Sequence, residues 1–467
     1  MSASGIRVAI LKRSFFVLAI CALTAMIAIP GCGGAGGGGG ETPAATTELV
    51  VERSTANGVE TVRNISGSRW GGPVRLEEEV AIGEEVGDEA YLFGAIAAAW
   101  ATSDRIYVVD SQVPAVRAFD RQGNYLFDVG RTGQGPGEYN QPMALAIDGD
   151  GRVIVTDVSG ARVNVYDADG VTLESWSLGS PMAAMGLVLT DDGEIYTQMM
   201  EMPENMEFSG PVEIRRGMQR VGPAGLTDEP SFPPPSDYEP PTAELEGGGR
   251  SFALAIIPFA PSYEWAFTPG TEFIAGAGDE YRFEIHRPDG NTMIVEKTWE
   301  PVAVQSDEAA FQGKLAVQPM RRMAPDLRID PSEIPEYKPA FTGFRPDRSG
   351  RVWVERQGAG WQDPACTAVG AGMQMTMMMG TSGGGADVSI GSMPGGSTSE
   401  FDEDECWASD PLYDVFEVAT GEFLGTVPAP EPGFRAPLFA EGDVVLAAVV
   451  DEMGTARLKK YRLVTGS

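Results

Sequence analysis

Short apolar runs of about four to six residues, broken by Asp, Asn and Gly, recur from residue 74 onward. This pattern predicts strands joined by tight turns. Two neighbouring segments superpose without a gap at a spacing of 47 residues. Arg105-Ile106-Tyr107-Val108-Val109-Asp110 lies over Arg152-Val153-Ile154-Val155-Thr156-Asp157, Val116-Arg117-Ala118-Phe119-Asp120 over Val163-Asn164-Val165-Tyr166-Asp167, and Gly123 over Gly170. Each unit reads as an inner apolar run (residues 144–147), an Asp/Gly turn (148–151), a second strand (152–156), a third (162–166) and, after Asp169-Gly170, an outer strand (171–176). Weaker copies follow at 187–196, 265–290, 343–421 and 438–463. A period in the forties with four strands per unit predicts an all-β, six-bladed β-propeller of four-stranded blades over residues 69–467. Residues 74–82, read as the only strand-like run before the first blade, are expected to supply the outer strand of the last and so close the ring.

One helical excursion interrupts the strands. In residues 306–323, Ala309, Phe311, Leu315, Val317 and Met320 punctuate polar positions, which predicts an amphipathic helix lying across the outside or one end of the ring. A partner-binding helix is the alternative. Residues 366–406 form a low-complexity insertion in the fifth unit.

Composition narrows the chemistry. A single His, His286, excludes multi-His metal sites and is expected on an outer strand. With 34 basic and 67 acidic residues the chain carries −33, which argues against nucleic acid and for cationic partners.

At the N-terminus Arg7, Lys12 and Arg13 precede an uncharged run over 14–29, which reads as a signal peptide covering residues 1–31. Its closing tetrapeptide, Ile29-Pro30-Gly31-Cys32, resembles the lipobox of bacterial lipoproteins. That resemblance implies lipidation of Cys32, attachment to the membrane through the lipid and, with Gly33 next in sequence, the outer membrane of a bacterial envelope. An ordinary cleavage site near Gly31 is the alternative. Residues 32–68, with five consecutive glycines from Gly36, are expected to be a flexible tether. Loss of the signal leaves 31 basic against 67 acidic residues, so the mature chain is at −36. Of the four cysteines only Cys366 and Cys406 then remain, an expected disulfide in an oxidising compartment.

The stretch Val129-Gly130-Arg131-Thr132-Gly133-Gln134-Gly135-Pro136-Gly137-Glu138-Tyr139 and the ending Asp451 to Gly454, Arg457, Tyr461-Arg462 resemble bacterial six-bladed propeller lipoproteins related to NHL-repeat proteins. The spacing of Asp157 and Arg162 matches the NHL pattern, in which Asp and Arg brace neighbouring strands; the first blade has Ala115 at the Arg position. The resemblance implies fold and location, and no single reaction.

Three sets of side chains are candidates for chemistry. Asp110, Asp157 and Glu355 end equivalent second strands, so they either converge at the channel mouth as ligands of a cation such as Ca²⁺ or brace the blades. The Asp/Gly turns carry carboxylates, but at hairpin spacing and without the closing Glu of a calcium loop. Met373, Met375, Met377, Met378 and Met379 cluster in the insertion, and thioethers select Cu(I). The expected function is a monomeric envelope scaffold binding a protein, glycan or small ligand, with no cofactor of its own. The alternatives are a lactonase- or lyase-like enzyme with a divalent metal at the channel mouth, and copper binding through the Met-rich loop.

Overall fold

The first strands of successive blades lie against one another around a central bore, and three further strands run outward from each. The computed structural model describes residues 48–201, 215–246, 252–318, 328–363, 375–382, 385–392, 406–451 and 453–466. The signal segment 1–31, Cys32, Cys366 and Met373 lie outside them.

The chain forms a six-bladed β-propeller of four-stranded blades. Blade 1 comprises Ile96–Ala101, Arg105–Asp110, Ala115–Asp120 and Tyr125–Asp128. Blade 2 comprises Pro142–Ile147, Val153–Asp157, Arg162–Tyr166 and Thr172–Ser177, and blade 3 Leu187–Leu189, Ile195–Glu201, Arg215–Gly222 and Gly225–Ser231. Blade 4 is built on Glu264–Phe267, Phe273–Gly276, Arg282–His286 and Thr292–Lys297. Blade 5 comprises Gly343–Pro346, Arg351–Gln362, Trp407–Glu417 and Phe423–Pro428. Each blade is covered on both faces by its neighbours, so its middle strands are apolar without alternation: Val153–Asp157 is buried at every position.

Blade 6 is Phe434–Glu441, Val444–Val450 and Ala456–Val464, and its outermost strand is Arg75–Ile82 from the other end of the chain. The ring is therefore closed as the sequence predicts. Leu76 and Ile82 point into the core, while Glu77, Glu78 and Glu79 meet Arg462, Lys459 and Lys460. Opposite charges facing each other along a strand pair fix its register.

The structure corrects the tether. Val50–Ala56 and Val59–Ser66 form a hairpin, and its second strand adds in parallel to Thr292–Lys297, making blade 4 a six-stranded sheet. The arm is anchored rather than free: Val62 is fully buried and Asn64 bonds Gly421 O and Phe423 N of blade 5. Residues 74–82 are accordingly not the only strand ahead of blade 1.

The helix forms at Ser306–Val317. Ala309 and Val317 pack against Ile257, Ile329 and Ile334, so the apolar face is covered from within and is not a partner-binding face.

The Gly-rich stretch between blades 1 and 2 is a structural turn. Asn164, Arg162 and Tyr166 of blade 2 bond the backbone at Glu138, Gly135 and Gly137 respectively, and Glu138 takes the amide of Gly135. Gly137 sits at φ +73 with Thr172 2.2 Å from where a Cβ would stand, so only glycine fits.

One end of the bore is stoppered. Arg348, in the turn after the first strand of blade 5, donates from Nη1 to Leu189 O of blade 3 at 3.0 Å and stacks on Trp100 of blade 1 at 5.1 Å. Its amide bonds Ala440 O of blade 6. These partners lie at the finishing ends of their first strands, called here the lower end.

Candidate functional site

The upper end, where first strands begin and second strands finish, carries all three carboxylates singled out in the sequence. Two of them are engaged in holding the backbone. Asp110 accepts the amides of Gly94, Ala95, Gln112 and Val113. Asp157 accepts those of Asn140 and Gln141 and the Ser159 hydroxyl. Both are fully buried. Asp110 is an acceptor satisfied by amides on both oxygens and braces its blade; Asp157 braces through Oδ1 alone, and its buried Oδ2 has no hydrogen-bond partner, with Arg162 Nε 3.4 Å away.

The bracing cations fit this. Arg162 stands 3.4 Å from Asp157. In blade 1, where Ala115 occupies the matching place, Arg117 approaches Asp110 at 3.8 Å. Arg117 is two residues further along the same strand and hence on the same face, a substitution that alignment by position does not show.

Glu355 differs. It stands opposite Gly343, one residue short of the rung of Asp157, which in blade 5 is occupied by Arg356; at the place of Thr156 it is on the other face of the strand and approaches Arg345 at 3.5 Å. Arg345 lines a cavity of about 370 Å³ that runs from the mouth of the bore down along the first strand of blade 4, between blades 3, 4 and 5. Leu187, Val188 and Met218 of blade 3 and Trp265 and Phe267 of blade 4 make its apolar wall. Its polar side chains are Gln198, Arg216, Glu264 and Arg345. Glu264 accepts the Ser262 hydroxyl at 2.6 Å. Burial pushes its carboxyl above the ordinary range, opposed by that hydrogen bond and by Arg216 and Arg345, while Glu355 adds to the rise. On the first strand of blade 6, burial pulls the Arg435 guanidinium below its usual value.

The mouth is deepened at blades 3 and 5, and in blade 3 residues 198–201 pair with 215–218 beyond the start of its first strand. In blade 5 the second and third strands outrun the first, so their hairpin rises above the ring. The helix Ser306–Val317 packs against it through a buried pair, Glu308 and Lys338, whose Nζ also donates to Gly358 O at 2.8 Å.

Elsewhere the remaining candidates separate. His286 closes the third strand of blade 4, level with Phe273 and Phe267 at the lower end, and its ring nitrogens face Glu284 and Thr292. It is away from the mouth and, on the third strand of its blade with Thr292–Lys297 outside it, lies on an interior strand rather than an outer one. Met375, Met377, Met378 and Met379 lie on the strand Met375–Ser382, which pairs with Gly385–Ser392. Cys406 is fully buried and packs with Phe311. Among the described residues no three His, Cys, Asp or Glu side chains stand within reach of a common ion.

Residues 87–196, under a quarter of the chain, match a family model described as a 6-bladed beta-propeller. No curated protein is significantly similar in sequence. Among solved structures the chain is similar to a member of the DUF4221 family from Bacteroides vulgatus, at 9% identity over 84% of this chain and 99% of that one, TM-score 0.45. It is also similar to virginiamycin B lyase from Staphylococcus aureus, at 10% identity over 84% and 100%, TM-score 0.33. A third is regucalcin, a calcium-binding protein from Agrobacterium tumefaciens, at 10% identity over 84% and 97%, TM-score 0.35.

Proposed function

We propose that the chain is a binding module of the bacterial envelope, exported, anchored through lipid on Cys32 and without catalysis of its own, that takes a small ligand or a glycan end at the mouth of its bore. The cavity between blades 3, 4 and 5 carries this reading: it is a concave site in which polar groups from three blades converge beside the aromatic side chains Trp265 and Phe267, an arrangement suited to fixing a small ligand. The metal-dependent alternative lacks its ligand set among the described residues, because Asp110 and Asp157 brace the blades and leave Glu355 and Glu264, each facing Arg345. A pair between Cys366 and Cys406 is part of the same proposal, since Cys406 is buried beside the raised hairpin of blade 5.

A thermal-shift screen of the mature chain against small metabolites and oligosaccharides tests the mouth. Hits should bind unchanged without being consumed, and Trp265→Ala should weaken them at least about tenfold by removing one wall of the cavity, an aromatic loss of about 1.4 kcal/mol or more. Turnover of a hit, or hits indifferent to Trp265→Ala, would overturn the reading. The anchor has its own test: Cys32→Ser should move the protein from the membrane fraction to the soluble fraction of the envelope and abolish metabolic labelling with palmitate. Retention of label would assign the lipid elsewhere.

A further inference from the structure

We infer that the ligand of the mouth is an organic carboxylate, its anionic group held between Arg216 and Arg345 and its apolar body laid on Trp265 and Phe267. This rests on the binding reading above and adds the chemistry of what is bound.

The first observation is the state of the mouth's cations in so acidic a chain. With 67 acidic residues against 34 basic ones, carboxylates are abundant enough to occupy surface arginines more than once. Arg53 meets Glu60 and Glu422, Arg69 meets Glu417 and Glu422, and Arg462 meets Glu77 and Glu79. Arg216 and Arg435 have no carboxylate within 4 Å among the described residues, and Arg345 reaches Glu355 through one nitrogen at 3.5 Å. A guanidinium has five donors in a planar fork that matches a carboxylate through two parallel hydrogen bonds, so these side chains keep that capacity open.

The second observation is the neighbourhood. Arg216 and Arg345 line one cavity although they come from different blades, and the wall beside them is apolar. The cavity's own carboxylate is a weak competitor: Glu264 is held by Ser262, and its burial disfavours the charged form. An anionic ligand would therefore complete the mouth, where a cationic one would have to displace Arg345 from Glu355.

Isothermal titration of the mature chain with 4-phenylbutyrate, 4-phenylbutanol and 4-phenylbutylamine tests this, because the three share a tail and differ in charge. The carboxylate should bind at least tenfold more tightly than the alcohol and the amine, and Arg216→Gln should reduce it to the level of the alcohol. That variant replaces an exposed side chain without an ion-pair partner among the described residues, so its melting temperature should match the parent's and a loss of binding is not a loss of fold. Preference for the amine would overturn the inference and assign recognition to Glu264 and Glu355, leaving binding at the mouth intact. Equal binding of all three, binding of none, or a preference untouched by Arg216→Gln would each overturn it too. The Trp265→Ala screen judges the mouth separately.

Discussion

Replacing Lys338 by Met is expected to lower the stability of the mature ring by about 3–5 kcal/mol, because it removes one partner of a buried ion pair and keeps the other. Lys338 and Glu308 are 2% and 1% exposed, and Nζ stands 2.6 Å from Oε1. Methionine fills nearly the same volume, so the loss comes from the stranded carboxylate of Glu308 rather than from a cavity. The pair joins the helix Ser306–Val317 to the raised hairpin of blade 5, where Gly360 leaves room for Glu308: a Cβ there would lie 2.4 Å from its carboxylate. The effect should be read in urea unfolding and in hydrogen exchange of the helix. Adding Glu308→Gln to Lys338→Met should restore much of the loss. If the double variant were no more stable than Lys338→Met alone, stranded charge would not be the cause.

The largest effect is expected from opening the ring. A mature chain that starts at Glu84 lacks Arg75–Ile82 and leaves Ala456–Val464 as an unpaired edge. Leu76 and Ile82 leave the core, Lys459, Lys460 and Arg462 lose carboxylate partners, and a bare strand edge is a template for association. Such a chain should aggregate and show no cooperative melt. The strand needs only to be present, wherever it is encoded. Arg75 pairs with Val464, and a Cβ on Gly72 would lie 3.1 Å from Gly466. Residues 69–83 appended after Ser467 through a short glycine turn should therefore refold as a hairpin with Ala456–Val464 and bring back a single sharp transition. Failure of that permuted chain, with the truncation also failing, would show that the N-terminal arm, absent from both, is what stabilises the ring.

Much of the fold was legible because blade strands are buried on both sides and repeat at a fixed interval. The pairing of Arg75–Ile82 with the last blade followed from the need to close the ring. The hairpin Val50–Ala56 and Val59–Ser66 was not read, although Asn57-Gly58, both at positive φ, is the dipeptide that two-residue hairpin turns favour. Its first strand is almost wholly exposed and so lacks the apolar alternation that marks a strand. The carboxylates were legible as positions and not as roles: Asp110 and Asp157 end at the backbone amides, whereas Glu355 stands one residue earlier on its strand, at the place of Thr156, and so faces the other way. Arg216 and Arg345 were invisible as site residues because only the circular arrangement of blades brings them to one cavity; no local motif joins them.

Arg348 decides how that cavity exchanges its contents. Because its side chain bridges blades 3 and 1 at the far end, the ring is a cup and not a pipe. On the binding reading proposed above, a ligand at the mouth would leave by the way it came, and a second would compete with it at that one opening, as at a receptor rather than in a conduit.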